Sequence, residues 1–199
     1  MRRTLVLACS VVSLGLAFDA HASDWALDSK GSQVRFAIGN MVFRTVHGTL
    51  GTVTGQLHLD EQDVTHSKVT ASIDLSTIES GDAKRDAHLK DKDFFEIAKF
   101  PSATFTSTTV EKGAGGALKV TGQLAVHGVT RAVVLDVTLP TPAAGASELN
   151  AHATTKLDRH DLGISYGPGV MIGAEVELEV VVKATPAVAP PAAAPTPAP

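Results

Sequence analysis

Apolar and polar residues alternate with a period of two along most of the chain between residues 33 and 183. In the final stretch, apolar residues at alternate positions from Val176 to Val182 are separated by glutamates from Glu175 to Glu179. Strict alternation is typical of β-strands with one buried and one solvated face. The pattern predicts eight strands, at residues 33–39, 45–60, 67–76, 103–112, 118–127, 130–139, 148–158 and 175–183.

Short turns join most of these strands, which favours an antiparallel meander. A closed barrel removes the edges that an open eight-stranded sheet would expose. Glycines within the predicted strands, such as Gly55 and Gly122, suit the sharp coiling of a small barrel. We therefore predict an all-β fold, an eight-stranded antiparallel β-barrel. A two-sheet sandwich is the alternative on pattern alone.

One stretch, residues 81–101, interrupts the alternation. Its first half is dense in charge and its second half is rich in phenylalanine. Asp82 can cap a short helix, and the spacing of Asp93 and Glu96 resembles a capping box. We predict a short helical insertion that caps one end of the barrel. Its phenylalanines either plug the interior or touch a ligand.

Both ends of the chain differ from its middle. Residues 1–22 combine a basic start, an apolar core and an Ala-His-Ala site, the features of a signal peptide rather than of a membrane span. Residues 184–199 are almost only Ala, Pro, Val and Thr, which predicts a disordered tail. Residues 23–183 remain as one domain, and we expect a periplasmic or secreted protein after cleavage near Ala22.

The composition excludes several classes of function. The single cysteine, Cys9, lies in the predicted signal peptide, so the domain has no disulfide and no thiolate site. The formal net charge is −4 and no basic stripe is present, so nucleic acid is not an expected partner. No two histidines have the local spacing of metal ligands, so no metal site is expected.

Two features would fit an enzyme. Residues 163–167 match the G-x-S-x-G pattern of a nucleophile elbow, but that motif needs a preceding strand and a following helix in an α/β sheet. Arg85, Asp86 and His88 form a charged cluster, but pairing along a helical turn accounts for their spacing. We predict no enzymatic activity, and an esterase-like hydrolase using Ser165 is the alternative.

The inward faces of the predicted strands carry small residues, such as Ala71 and Ala151, beside Val and Leu. An eight-stranded barrel is near the size at which side chains fill the interior or leave room for one small ligand. Each buried methylene of such a ligand would contribute about 0.8 kcal/mol. The residues alone leave two interpretations open, an apolar cavity for a lipophilic chain and a packed structural barrel with no ligand.

The candidate cavity-lining residues are inward apolar positions of the strands and phenylalanines of the insertion. They are Val34, Phe36, Ile38, Leu57, Val69, Ile73, Phe94, Phe95, Phe100, Phe105, Leu124, Val126, Val133, Leu135, Leu178 and Val180. Arg44 and Arg159 lie near predicted strand ends and are candidates for contact with a polar headgroup. Solvated surface arginines are the alternative for these two.

Several motifs, in this order along the chain, resemble the YceI-like family. They are Trp25-Ala-Leu-Asp28, Ser32-Gln-Val-Arg-Phe-Ala-Ile38, the run at 80–105 with Asp93-Phe-Phe95 and Lys99-Phe-Pro101, residues 120–130, and Asp158-Arg-His-Asp-Leu-Gly163. The resemblance covers residues 24–183. The chain departs from it at Gly31, where the family often has His.

This resemblance implies a periplasmic, lipocalin-like barrel that encloses a long amphiphile such as a polyisoprenoid or a quinone-like lipid. It implies non-enzymatic binding for transport, storage or sequestration, foreign hydrophobic compounds such as antibiotics included. The expected partner is a lipophilic small molecule, so the only bound group expected is a lipid or isoprenoid ligand. No membrane span is expected, and a homodimer is the alternative to a monomer.

Overall fold

The computed structural model describes residues 22–41, 43–143 and 145–187, in which nine β-strands form one antiparallel sheet. The strands are β1 (Ala22–Leu27), β2 (Gln33–Asn40), β3 (Arg44–Asp60), β4 (Lys68–Asp74), β5 (Ser102–Lys112), β6 (Leu118–Val126), β7 (Val129–Thr138), β8 (Leu149–Asp158) and β9 (Ile172–Pro186). Their spatial order is β1-β3-β2-β9-β8-β7-β6-β5-β4, and pairing between β3 and β4 closes the sheet. This closure confirms the predicted barrel and excludes the two-sheet sandwich.

Strands β1 and β2 share one position in the barrel wall, between β3 and β9. Strand β1 pairs with the second half of β3 and the end of β9, whereas β2 pairs with the first half of β3 and the rest of β9. Between them, the Ser32 hydroxyl donates to the Lys183 carbonyl at 3.0 Å and accepts from the Lys183 amide at 3.1 Å. The barrel therefore has eight strand positions, as predicted, and β1, a strand that the alternation did not predict, shares the first of them with β2.

The connections lie at two ends of the barrel. One end, here called the lid end, carries the β2–β3 turn, the insertion between β4 and β5, the β6–β7 turn and the β8–β9 loop. The other, the terminal end, carries the remaining hairpin connections and both ends of the described chain. There Trp25 lies opposite Pro186, and the Ala187 amide donates to the Asp24 carbonyl at 2.7 Å.

Apolar side chains fill the terminal end. Trp25, Leu59, Leu149 and Ala184 pack together, and each is at most 4% exposed. Because Ala184 is buried and β9 continues to Pro186, the predicted start of the tail at residue 184 is wrong by three residues. The rest of the predicted tail from residue 188, and the predicted signal peptide up to residue 21, lie outside the described residues.

The insertion at the lid end begins with helix α1 (Ala83–Lys90). Asp82 caps this helix, as predicted, by accepting hydrogen bonds from two amides of the first turn. Asp93 does not begin a second helix; its carboxylate lies 3.1 Å from His88 Nε2. Glu96 has a left-handed backbone with φ 47°, which turns the chain back towards the barrel. The predicted capping box is therefore wrong.

Candidate functional site

Two apolar cavities lie inside the barrel, one behind the other. The first, about 160 Å³, occupies the middle of the barrel and its terminal half. The second, about 120 Å³, lies beneath the insertion at the lid end. Ile73, Leu124, Leu157 and Leu178 line both cavities, so they separate two compartments of one elongated interior. Space lined in this way is dry and suits a hydrocarbon chain.

Small side chains at inward positions leave this space open. Ala71, Ala151 and Ala153 line the first cavity at points where a larger residue would fill it. The ring of Phe105 lies against Gly122, where a Cβ atom would approach it to 2.4 Å. The glycine therefore lets the aromatic ring pack on the barrel wall.

Fifteen of the sixteen predicted apolar residues line these cavities. Val34, Leu57, Val69, Phe105, Val133, Leu135 and Val180 line the first, Phe36, Ile38, Phe94, Phe95 and Val126 line the second, and Ile73, Leu124 and Leu178 line both. Residues on the same strand faces, such as Val53 and Val120, also line the first cavity. Their alternation with polar neighbours is a signal that could have found them.

Phe100 is the exception and is absent from the residues that line either cavity. Its ring centroid lies 5.3 Å from that of His127, and a Cβ atom at Gly128 would approach the ring to 2.9 Å. Phe100 therefore packs against the β6–β7 turn and secures the insertion to the barrel. The expectation that this side chain faces the interior is corrected.

Arg159 lies at the wall of the second cavity and is 4% exposed. Burial lowers the pKa of Arg159 from its ordinary value, and the nearby Asp158 carboxylate opposes that change. Its side chain donates, at 2.8 to 3.3 Å, to the backbone carbonyls of Ile164, Tyr166, Gly167, Ile172 and Gly173.

These five bonds correspond to the five donors of an arginine side chain. Arg159 is therefore occupied in organising the β8–β9 loop, and the expectation that it meets a headgroup is corrected. The sequence holds no signal for this role, because the five acceptors belong to the main chain.

Ser80 organises the charged half of the insertion. Its hydroxyl and its amide both donate to the Asp86 carboxylate. Arg85 donates from Nε to the Ser80 hydroxyl at 2.7 Å and from Nη2 to the Ser80 carbonyl at 2.8 Å. Arg85 and Asp86 are thus joined through a buried serine. This network fixes the start of α1 to the preceding segment, in which Glu79 exchanges backbone hydrogen bonds with Thr49 of β3.

His88 connects the insertion to the β8–β9 loop. Its ring centroid lies 4.9 Å from that of Phe94 and 4.9 Å from that of Tyr166, in edge-on arrangements.

Ser165 is exposed on the β8–β9 loop, between a 3-10 turn and β9, and residues 163–167 do not form a strand-to-helix turn. The G-x-S-x-G match therefore lacks the geometry of a nucleophile elbow.

A family model described as a YceI-like domain matches residues 25–184. The chain belongs to the YceI-like family. A UPF0312 protein of Vibrio campbellii is 32% identical over 138 residues, which are 68% of this chain and 73% of that protein. A UPF0312 protein of Vibrio parahaemolyticus is 29% identical over 189 residues, which are 92% of this chain and all 100% of that one. The resemblance found in the motifs is thereby confirmed.

Solved structures resemble this YceI-like barrel in fold. BcnA of Burkholderia cenocepacia has a TM-score of 0.74 at 20% identity, covering 80% of this chain and 99% of BcnA. A polyisoprenoid binding domain from Saccharophagus degradans has a TM-score of 0.67 at 17% identity, covering 82% of this chain and 98% of that domain. At these identities the likeness establishes the closed antiparallel barrel.

Arg44 lies at the start of β3, is exposed, and is absent from the residues that line either cavity of the YceI-like barrel.

Within residues 22–41, 43–143 and 145–187, no group of three or more His, Cys, Asp or Glu side chains could hold a metal ion. In that same part of the chain, no helix has the length and apolar character needed to cross a membrane.

Proposed function

We propose that this YceI-like protein is a non-enzymatic binding protein that holds a long lipophilic molecule inside its barrel. The observation that carries the proposal is the elongated, apolar interior, with compartments of about 160 and 120 Å³ in line. A single hydrocarbon or isoprenoid chain has the shape and chemistry to thread both compartments. Burial of each methylene would contribute about 0.8 kcal/mol.

A polyisoprenoid or another long amphiphile is the ligand class we favour. Support comes from the Saccharophagus degradans domain of the same fold, which is described as polyisoprenoid binding. The residues that we assign to ligand contact are the cavity-lining side chains, with Leu124 and Leu178 at the junction of the two compartments. The features of residues 1–22 support export to the periplasm or the medium, where the protein would carry, store or sequester its ligand.

Extraction of the native ligand tests this proposal. The protein purified from its own host should yield an organic-soluble lipid that mass spectrometry detects in near-stoichiometric amount. Ala153→Phe places a large ring in the first cavity, because Ala153 is 5% exposed and lines it. We expect this variant to retain several-fold less lipid and to take up a hydrophobic fluorophore poorly.

Thr154→Phe is the matched control, because Thr154 is the next residue of β8 and its side chain is exposed. We expect this variant to retain as much lipid as the unchanged protein. If the unchanged protein yields no lipid and takes up no fluorophore, the barrel is a structural one and the proposal fails.

A further inference from the structure

Two loops of the lid end project side by side. The Met41 amide donates to the Met171 carbonyl at 3.0 Å, and Asn40 lies opposite Ile172 in the β2–β9 ladder. Backbone bonds therefore join the β2–β3 turn to the end of the β8–β9 loop. We call this projection the tip and define it by Met41, Phe43, Val170 and Met171.

The tip is apolar and exposed. Phe43 is 94% exposed, Val170 70%, Met41 55% and Met171 47%. Apolar side chains gain free energy when they leave water, and an adjacent group of them marks an interaction site more often than single ones do. The bonds from Arg159 to carbonyls of the β8–β9 loop fix one side of the projection. The exposed side chains thus stand on a supported framework.

The two segments that carry the tip contain a single charge. Residues 36–46 include Arg44 as their only Lys, Arg, Asp or Glu, and residues 162–174 include none. Arg44 is exposed and makes no side-chain hydrogen bond or ion pair within the described part of the chain. Apolar side chains beside a free cation, with no acidic neighbour along either segment, complement the surface of an anionic lipid bilayer.

Other occupants fit the tip less well. A stable protein interface buries about 800 Å² on each partner. The tip supplies less than this, because it has a single aromatic residue, which buries about 150–250 Å², and its other three side chains are smaller or only about half exposed. Both ends of the described chain, Ala22 and Ala187, lie at the terminal end and are thus remote from the tip. A bilayer accepts a small convex apolar projection without needing a matching surface.

We propose that the lid end docks onto anionic lipid bilayers, with the tip inserted at the level of the lipid headgroups. This inference rests on the proposed function, in which the barrel exchanges a lipophilic ligand with a membrane. The second cavity begins behind the tip, because Ile38 and Ile164, from β2 and the β8–β9 loop, line it. Docking would bring this compartment next to the lipid.

Co-sedimentation with vesicles tests the inference on the purified full chain. The vesicles contain phosphatidylcholine alone, or phosphatidylcholine with about 30% phosphatidylglycerol to supply anionic headgroups. We expect the protein to bind the anionic vesicles. The double substitution Phe43→Asp and Val170→Asp should weaken this binding by about tenfold or more, because it removes the two most exposed apolar side chains.

Arg44→Gln should weaken binding to the anionic vesicles by about fivefold and leave binding to pure phosphatidylcholine unchanged. Val134→Asp is the matched control, because Val134 is an apolar residue of β7 that is 46% exposed and lies outside the tip. We expect its vesicle binding to equal that of the unchanged protein. Circular dichroism should show the same fold for all variants.

Three results would overturn the docking proposal. They are no binding of the unchanged protein to anionic vesicles, equal losses from Val134→Asp and from the tip variant, and a Phe43-dependent dimer in sedimentation velocity without vesicle binding. Lipid extraction separates this failure from failure of the proposed function. Extracted lipid with no vesicle binding rejects docking alone, whereas vesicle binding with no extractable lipid rejects the cavity function alone.

Discussion

The two ends of the barrel are closed by different chemistry. At the terminal end, four apolar side chains around Trp25 and Leu59 pack into a plug. At the lid end, Phe94 of the insertion and Leu162 of the β8–β9 loop are buried as well, but α1 contributes no buried residue, and hydrogen bonds from Arg159 and around Ser80 add to the packing of the covering segments. Water can replace hydrogen bonds more readily than it can replace apolar packing. We infer that α1, which is held by such bonds and buries no side chain, separates from the barrel more readily than the plug at the terminal end, here called the floor.

Among the changes that test this comparison, removal of the Arg159 side chain should have the largest effect on the stability of the fold. Arg159→Ala leaves five carbonyls without their donor, which should lower the free energy of unfolding by about 3–5 kcal/mol. The thermal midpoint should fall by roughly 10 °C. Thermal and urea unfolding followed by circular dichroism measure both quantities.

Arg35→Ala is the control for this substitution. Arg35 forms an exposed pair with Glu179 at 3.5 Å, so its loss should cost less than about 1 kcal/mol. Equal small losses from both arginines would show that the β8–β9 loop keeps its shape without Arg159.

A substitution that opens a cavity in the floor should have the next largest effect on stability. Leu59 is 1% exposed, and Leu59→Ala should lower the free energy of unfolding by about 2–4 kcal/mol. Hydrogen exchange at α1 should stay unchanged, because the plug lies at the opposite end. Leu139→Ala, at a partly buried position packed against the plug, should cost less. Faster exchange at α1 in Leu59→Ala would show that the two ends are coupled.

Acidification should have the smallest effect on stability, and it should loosen the helical elements of the lid end first. Asp74, Asp82 and Asp158 cap the three short helical elements there. Hydrogen bonds from the first turn of each element hold the pKa of these carboxyls below the ordinary value. Because the folded pKa is lowered, this stabilisation is present above about pH 4 and is lost as the pH falls through the folded pKa.

Amide hydrogen exchange, compared between pH 6 and pH 3 after correction for intrinsic rates, measures this effect. Protection should fall for Ala83–Lys90 before it falls for the central residues of β8. Asp82→Asn should remove the acid sensitivity of α1, since asparagine caps a helix without ionising. At the terminal end, Asp60 and Asp63 make similar bonds within the β3–β4 turn, and Asp63 also lies 3.4 Å from Lys112 Nζ of β5. Uniform loosening of both ends would contradict the comparison.

The sequence was sufficient to predict the walls of the barrel. In a strand each inward residue lies two positions from the next, so Leu178 and Val180 could be assigned to the interior from alternation alone. Irregular segments carry no such period, and Leu162 and Ile164 of the second cavity were therefore missed. Prediction from pattern thus worked for the first cavity better than for the second.

Side chains whose partners are main-chain atoms could not be predicted. The role of Arg159 depends on how the following loop turns, and Gly163 and Gly167 take left-handed conformations there, with φ 79° and 80°. Phe100 follows the left-handed Glu96, which reverses the chain and directs its ring to the β6–β7 turn. The spacing of apolar and polar residues along the sequence does not predict these reversals of the chain.

Strands β1 and β9 pair at the terminal end, so the two ends of the described chain lie side by side. The strands could therefore follow one another in a different order along the chain without changing the barrel. Ala187 already donates a hydrogen bond to Asp24 at 2.7 Å, so a short peptide bridge could turn the described chain into a ring. Reopening that ring between Gly115 and Gly116, in the exposed β5–β6 hairpin, would create a circular permutant. Its new termini would lie away from the lid, so a reporter fused there would leave the tip and the second cavity unobstructed.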